Sequence, residues 1–546
     1  MRGGCWATVA VMAAALAATT VPAGAATPMS DVIVTLRDTT PDGSGGARGV
    51  EQDLRRSASA GQRTVLRLLH RRRAEGRVRV VQRFWVFDGL RVVADRGVAR
   101  ELRALPGVAS VEPNRVVRAP SPAARARRAQ AAPVSTAAAT IGAAALWDRG
   151  VTGKGVVIAS LDSGVDASHP ALSASFRGRP HDWYDPSGEH LRHPVDTSGH
   201  GTATLGVMVG SGAAATPQGV APGAHWIAAK VFDDHGRSTT ARIHAALQWA
   251  LDPDGNPRTP DAPQVVNASW DIAGSGCDLA FEQDLRHLRQ AGVLPVFAAG
   301  NDEHDASPAN NPSAFAVGAV DDAGRLAAGS GRGPSACGEP VYPQVVAPGV
   351  NITTTDLFGL SATQSGTSVA APYVSGALAL LLSRFPGISA ERQAAAIESG
   401  AEDLGAAGPD RLFGHGRLDV GAALAWLEHA PDVSLVPARW AIGAAPGGAA
   451  ATWITVQPVH GFTGTLALSA SVRLPGARAS FPTATATIRG PGVRVRLALR
   501  VPRGARPGTY PLTLRARSGA RTRSLTTALV VRDPLSSRPG PSGRRR

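Results

Sequence analysis

At 546 residues the chain exceeds one ordinary domain, and its 43% hydrophobic and 18% charged content suits folded globular units with real cores. The net charge of +15 divides unevenly: residues 27–133 carry 21 basic and 10 acidic side chains, residues 134–430 carry 17 and 30, and residues 431–546 carry 18 Arg against Asp432 and Asp533. An acidic middle between two basic flanks excludes a single nucleic-acid-binding reading, and no nucleic-acid partner is expected.

Arg2, the apolar run Val9–Val21 and Ala23-Gly24-Ala25 read as a secretory leader over 1–25, too short for a membrane anchor. No later stretch stays apolar for the length of a spanning helix, so a secreted, extracellular protein without a transmembrane segment is expected. Residues 31–36 read as a strand, 50–75 carry helical spacing, 79–94 form a hairpin turning at Asp88-Gly89, and 99–113 give a helix ending near Pro106 and then a strand. That β-α-β-β-α-β order is a small α+β, ferredoxin-like unit over 26–118. The Ala/Pro/Arg-rich stretch 119–136 reads as a linker and processing zone.

From Val156 apolar runs alternate with helices. Residues 155–162, 225–232, 264–270 and 293–301 read as buried parallel strands, with helices over 239–250 and 279–291. The region 137–430 is therefore a doubly wound α/β unit with a mostly parallel sheet, whose sites belong at the carboxyl ends of strands. Asp162, Trp270 and Asn301 each stand at such an end. Short alternating runs within 431–533 predict an all-β sandwich, and 534–546 an Arg-rich disordered tail. Cys5 leaves with the leader, so Cys277 and Cys337 are expected to pair in an oxidising compartment; two cysteines make no zinc site.

Hydrolysis by serine needs a hydroxyl, a base, an acid that fixes the base's tautomer, and donors for the oxyanion. Asp162-Ser163-Gly164 ends a strand with an acid. Gly199-His200-Gly201-Thr202 opens a helical run, 202–210. Ala298-Ala299-Gly300-Asn301 ends another strand. Gly366-Thr367-Ser368-Val369-Ala370-Ala371-Pro372 puts a serine at the start of an apolar helix, 368–383, with Pro372 in its first turn. Each motif alone is an ordinary turn or helix cap; their conjunction is the signal.

The order Asp, His, Asn, Ser with these motifs resembles the subtilisin-like serine proteases, the subtilase or S8 family, over about 150–425. The stretches Gly219–Ala224, Val265–Trp270, Ser330–Ser335 and Ala347–Ile352 resemble its bacillopeptidase F-like branch. Residues 31–118 resemble the family's I9-type inhibitory propeptide, with Val108–Val116 as its last strand. The resemblance implies a serine endopeptidase made as an autoprocessed preproenzyme, acting on polypeptides through an acyl-enzyme. It implies Ser368 as nucleophile, His200 as general base and Asp162 as orienting acid, with Asn301 and the Ser368 N–H as oxyanion donors. Gly236, Ser269, Trp270, Asp271 and Gly300 would contact substrate.

No cofactor is required on this reading. Structural calcium is a family feature, but Ala171 stands where many members place a liganding Asp, so no metal ligand is assigned. Ala203 replaces a second His, and Asp271-Ile272 replaces Gly-Gly near the main specificity pocket, where a carboxylate favours a basic residue before the cut. The prodomain is expected to bind in cis, drawn onto the acidic enzyme by charge. The basic C-terminal unit fits an anionic cell-surface polymer or lipid, docking on the enzyme, or no partner at all. His169 and Asp166 read as structural, and Asp233-Asp234-His235 as a solvated loop. Two rivals are an acid peptidase with Glu in place of His and a surface-binding pseudoprotease. Intact His200 opposes the first and the complete triad the second.

Overall fold

The computed structural model describes residues 28–37, 46–119, 136–212, 219–272, 276–429, 432–439, 441–490, 492–518 and 521–532. The expected leader with Cys5, nearly all of the linker and the Arg-rich tail lie outside the described residues.

Strand β1 (Met29–Leu36) leads into helices α1 (Gly46–Gly61) and α2 (Arg63–Ala74), then β2 (Val78–Phe84), β3 (Gly89–Asp95), α3 (Arg96–Arg103) and β4 (Val108–Pro113). The sheet order is β2-β3-β1-β4 with antiparallel pairs, the order of a ferredoxin-like unit. Alternation in β1 and β3 buries Val32, Val34, Leu90 and Val92 against Val65, Leu69 and Leu102 of the helices. The single helical stretch expected over 50–75 is two helices. The chain breaks at Gln62, whose amide donates to the Phe84 and Gly89 carbonyls at 2.7 and 3.3 Å and so ties the break to the hairpin. The last strand of this sheet ends at Pro113. Residues 116–118 instead form strand β5 (Val116–Arg118), which leaves the sheet.

The central region begins with the short helices α4 (Thr136–Thr140) and α5 (Ala143–Trp147). Strands β6 (Val157–Asp162) and β7 (Trp183–Tyr184) precede helix α6 (His200–Val209). Then come β8 (His225–Lys230), β9 (Arg237–Thr239), helix α7 (Thr240–Leu251), β10 (Val265–Ala268), helix α8 (Glu282–Gln290) and β11 (Leu294–Ala298). Strands β12 (Phe315–Val320) and β13 (Val345–Pro348) extend the sheet, and β14 (Ile352–Thr355) pairs with β15 (Ser361–Gln364). Helices α9 (Thr367–Arg384), α10 (Ala390–Gly400) and α11 (Val420–His429) complete the region. Among the described residues the main sheet has seven strands in the order β13-β12-β11-β10-β6-β8-β7, with parallel pairs. Strands β10, β11 and β12 are buried on both faces, which is why they read as continuous apolar runs. The winding reverses between β6 and β10, and the carboxyl ends of strands at such a reversal are where doubly wound sheets place their sites. Helix α9 is apolar on all sides and buried from Thr367 to Leu382, as a helix under a sheet must be.

The N-terminal unit docks on α7 and α8. Residues Val86, Phe87 and Val117 share a core with Ile227, Leu247, Phe281 and Leu285. The Phe87 ring stacks on His244 at 3.9 Å between centroids. The backbone N–H groups of Thr240 and Ala241, which open α7, donate to the Arg115 carbonyl at 3.0 Å and the Asn114 side chain at 2.9 Å. These are donors a helix cannot satisfy internally. Strand β5 pairs antiparallel with β9, through Val116 with Thr239 and Arg118 with Arg237.

Beyond α11 the chain forms two β-sheets. One joins Asp432–Pro437, Ala449–Val459, Val493–Arg500 and Arg478–Ser480 in that order. The other joins Ala441–Ala444, Arg521–Val531, Gly508–Ser518, Gly464–Val472 and Thr485–Ile488. Alternate residues, among them Ile454, Val456, Leu497, Leu512, Leu514 and Leu529, fill the space between them. Arg523 holds Asp432 at 2.8 Å and lies 5.3 Å from the centre of the Trp426 ring of α11.

Cys277 and Cys337 form a disulfide, with Cα atoms 4.8 Å apart and a sequence separation of 60. Closing a loop of that size in the unfolded chain contributes roughly 4 kcal/mol in the chain-entropy account. The paired substitution Cys277→Ser, Cys337→Ser in a Ser368→Ala background is expected to lower the unfolding free energy by an amount of that order, and the denaturation midpoint with it. Equilibrium denaturation under non-reducing conditions measures it, and an unchanged midpoint contradicts the account.

Candidate active site

Strand β6 ends on Asp162, which is 2% exposed. Its Oδ1 accepts from the Ser163 N–H and pairs with His200 Nδ1, both at 2.7 Å. A carboxylate on Nδ1 requires the proton there and leaves the Nε2 lone pair for another group. Among the described residues Nε2 is buried and has no hydrogen-bond partner. Burial disfavours the imidazolium, but the charge and hydrogen bond of Asp162, with a further contribution from the charge of Asp196, outweigh it and raise the His200 pKa above its usual 6.5.

His200 is the first residue of α6. Its backbone can approach β6 because residue 201 is glycine; a Cβ there would sit 2.1 Å from the Gly164 carbonyl oxygen. Asp196 holds the helix end. Its oxygens accept from the N–H groups of Ser198, Gly199 and Thr202 at 3.0, 2.9 and 2.9 Å and from the hydroxyls of Thr202 and Ser163 at 2.7 and 3.0 Å. The Ser163 hydroxyl accepts in turn from the Gly201 N–H at 2.9 Å. Lys230, fully buried at the end of β8, donates to the Ser163 carbonyl at 2.8 Å. Sequence reasoning missed Asp196 and Lys230. The available signals were an acid four residues before His200, typical of a turn or helix cap, and a lone cation closing an apolar strand.

Ser368 is the second residue of α9 and 8% exposed. Asn301 follows β11, and its Oδ1 accepts from the N–H and hydroxyl of Thr367 at 2.9 and 3.1 Å, which fixes the amide Nδ2 as the side chain's donating end. Gly366 lies between the two groups with φ 139°. A Cβ there would fall 3.1 Å from Asn301 Oδ1 and 3.5 Å from Ser368 Oγ, so glycine keeps that space open. Helices α6 and α9 pack together. Pro372 is the sixth residue of α9 rather than part of its first turn, so it withholds the N–H that would have met the Ser368 carbonyl.

The other candidates fall as follows. The Gly236 carbonyl accepts from the Ala119 N–H at 2.9 Å, next to the β5–β9 pair. Ser269 is buried, its hydroxyl accepting from Asn267 at 3.0 Å. The Trp270 side chain faces the core, 1% exposed, with Nε1 donating to the Leu161 carbonyl at 2.8 Å. Asp271 sits beside Gly300, where a Cβ would lie 3.7 Å from Asp271 Oδ2. Burial, and then the charge of Asp302, push the Asp271 pKa up to about 6. His169 is structural, with Nε2 3.0 Å from the Leu360 carbonyl and Nδ1 accepting from the Ala171 N–H at 3.1 Å. Buried Ala171 offers no side-chain oxygen for a cation. Asp166 turns its own loop, accepting from the Ser168 N–H at 3.1 Å. Asp233 does the same for His235 and Arg237, and Asp234 pairs with His190 at 2.9 Å.

An acid–imidazole pair at the end of β6 and the start of α6, a serine at the start of α9 and an amide donor after β11 of a doubly wound sheet define the class: a serine-type peptidase of α/β architecture. The subtilase family matches residues 153–416. The chain is 35% identical over 407 residues to bacillopeptidase F of Bacillus subtilis, covering 68% of this chain and 28% of that protein. It is 29% identical over 385 residues to subtilisin E of Bacillus subtilis, covering 69% and 89% of the two chains. It is 32% identical over 293 residues to a subtilisin of Bacillus pumilus, covering 52% and 96%. The chain belongs to the subtilase family of serine-type endopeptidases.

The raised pKa sets a prediction. In the Ser368→Ala protein the ring resonances of His200 are expected to titrate with a midpoint above 6.5, and Asp162→Asn is expected to lower it. Histidine ring NMR reads both, and a midpoint that does not fall in Asp162→Asn contradicts the assigned cause.

Proposed function

We propose that the chain is the precursor of a secreted endopeptidase that cuts peptide bonds through an acyl-enzyme on Ser368. His200 takes the Ser368 proton and later delivers it to the leaving amine. Asp162 keeps His200 in the tautomer that accepts at Nε2 and stabilises its cation. The Asn301 amide and the Ser368 N–H receive the oxyanion, and the start of α9 favours the negative charge forming there. The observation that carries this reading is the 2.7 Å contact of His200 Nδ1 with Asp162, with Nε2 left unpaired.

Residues 26–118 act as the inhibitory prodomain. Support comes from β5, which lies as an added strand on β9 and continues through Ala119 to Gly236, the path an extended substrate would take. Ion pairs of Arg55 with Asp252 and Arg115 with Asp278 join the basic unit to the acidic one. For the C-terminal unit, docking on the enzyme is the favoured reading. Arg473 lies against Gly338, where its Nη1 would be 2.1 Å from an added Cβ, and Arg523 reaches Trp426.

Asp271 selects a basic residue before the cut. A carboxylate titrating near 6 is charged above that pH and neutral below it, so the selection strengthens as pH rises through about 6.

Three experiments test these roles. A fluorophosphonate is expected to label the secreted enzyme and not Ser368→Ala. Asn301→Ala is expected to lower kcat by about 10²–10³-fold, and equal labelling of Ser368→Ala removes the nucleophile assignment. A peptide library is expected to show Arg and Lys before the cut at pH 8, weakened at pH 5 and lost in Asp271→Gly; a library profile untouched by that substitution refutes the selectivity claim.

A further inference from the structure

The loop joining α7 to β10 carries Asp252-Pro253-Asp254-Gly255-Asn256 and returns to Asp261. One carboxylate oxygen from each of Asp252, Asp254 and Asp261 lies within 4.8 Å of those of the other two. Asp252 and Asp261 are only 5% and 7% exposed, so bulk water does little to screen them from one another.

Several of these oxygens are used within the loop. Asp261 Oδ2 accepts from the Asp254 N–H at 2.9 Å, and Asp254 accepts from the Asn256 N–H at 2.8 Å and the Thr259 hydroxyl at 2.7 Å. Asp252 Oδ1 is different: it is buried and has no hydrogen-bond partner among the described residues. A buried, unpaired carboxylate oxygen beside two further carboxylates calls for positive charge.

The neighbourhood supplies little of it. Arg55, on α1 of the N-terminal unit, pairs with the other oxygen of Asp252 and with Glu51, the latter at 2.6 Å. Glu51 brings a fourth carboxyl to the same place, held by the same Arg55. Arg177 donates to the Asp261 backbone carbonyl at 2.7 Å, but its guanidinium pairs with Asp182.

We propose that Asp252, Asp254 and Asp261 form a binding site for a hard divalent cation of the calcium type, and that Arg55 of the N-terminal unit competes with that cation for Asp252. The donors are all oxygen, which selects calcium or magnesium over softer metals. Calcium accepts an irregular set of oxygens completed by water, whereas magnesium demands near-octahedral geometry. The site is separate from Ala171, where no side-chain oxygen is available, and from the exposed Glu189-His190-Asp234 group, whose His190 and Asp234 already pair.

Terbium tests the proposal, since its emission can be excited through tryptophan and Trp249 adjoins the site, its carbonyl accepting from the Asp252 N–H at 3.1 Å. The full-length Ser368→Ala protein, stripped of metal, is expected to bind terbium saturably, with calcium displacing it at concentrations at least tenfold lower than magnesium. Asp254→Asn is expected to weaken terbium binding at least tenfold, Asp234→Asn to leave it unchanged, and Arg55→Gln to tighten it severalfold. Calcium is also expected to raise the melting temperature of the parent and not of Asp254→Asn, with circular dichroism checking that the variant folds. A folded Asp254→Asn protein that binds terbium as tightly as the parent overturns the site. An Arg55→Gln protein with unchanged affinity overturns the competition.

Discussion

The close approach of backbone at the carboxyl ends of β6 and β10 is the constraint on which the rest of the structure depends. Parallel pairing sets Asp162, the turn after Ala268 and the turn after Ala298 side by side. Two glycines let the helix carrying His200 close on that row: Gly201 against the Gly164 carbonyl, and Gly164, at φ 109°, against the Val195 carbonyl. A side chain at either position would overlap backbone, and backbone does not yield cheaply. The imidazole therefore reaches Asp162 by main-chain packing, and the hydrogen bond records that packing.

Around this contact lies a layer of buried polar groups that support one another. Asp196 gathers helix N–H groups and two hydroxyls, Ser163 links strand to helix, and Lys230 anchors Ser163 from below. Each is costly to bury alone and stable as part of the set. The negative charge of Asp196 also reaches His200, so the groups that position the ring help set its basicity. Position and proton affinity thus share a source.

Much of this was legible in the sequence, for identifiable reasons. Strands buried on both faces leave continuous apolar runs, so β6, β8, β10 and β11 were readable, and the four motifs fell at their ends or at helix starts. Strands β12 and β13 are equally apolar, but long loops and few helical signals separate them, and the alternation of strand and helix no longer marked them out. The split at Gln62 was hidden because its cause is a side chain reaching a hairpin some twenty residues away. Pro372 misled through a one-residue shift of the helix start and a proline placed beyond the first turn. Trp270 read as a lining residue because it ends a strand; which way an indole turns is decided by Phe232, Phe281 and Phe297 around it. The network of Asp196 and Lys230 needed three-dimensional proximity that no spacing encodes.

The cap on α7 has a consequence for the order in which the molecule is assembled. Residues 114 and 115 complete the first turn of a helix that begins more than a hundred positions later, and Val86, Phe87 and Val117 fill the groove beside it. A nascent chain emerging from its N-terminus presents these partners before their counterparts exist. In order of synthesis, then, the groups that meet the first turn of α7 are already made when that helix is, and only water would otherwise bond those N–H groups.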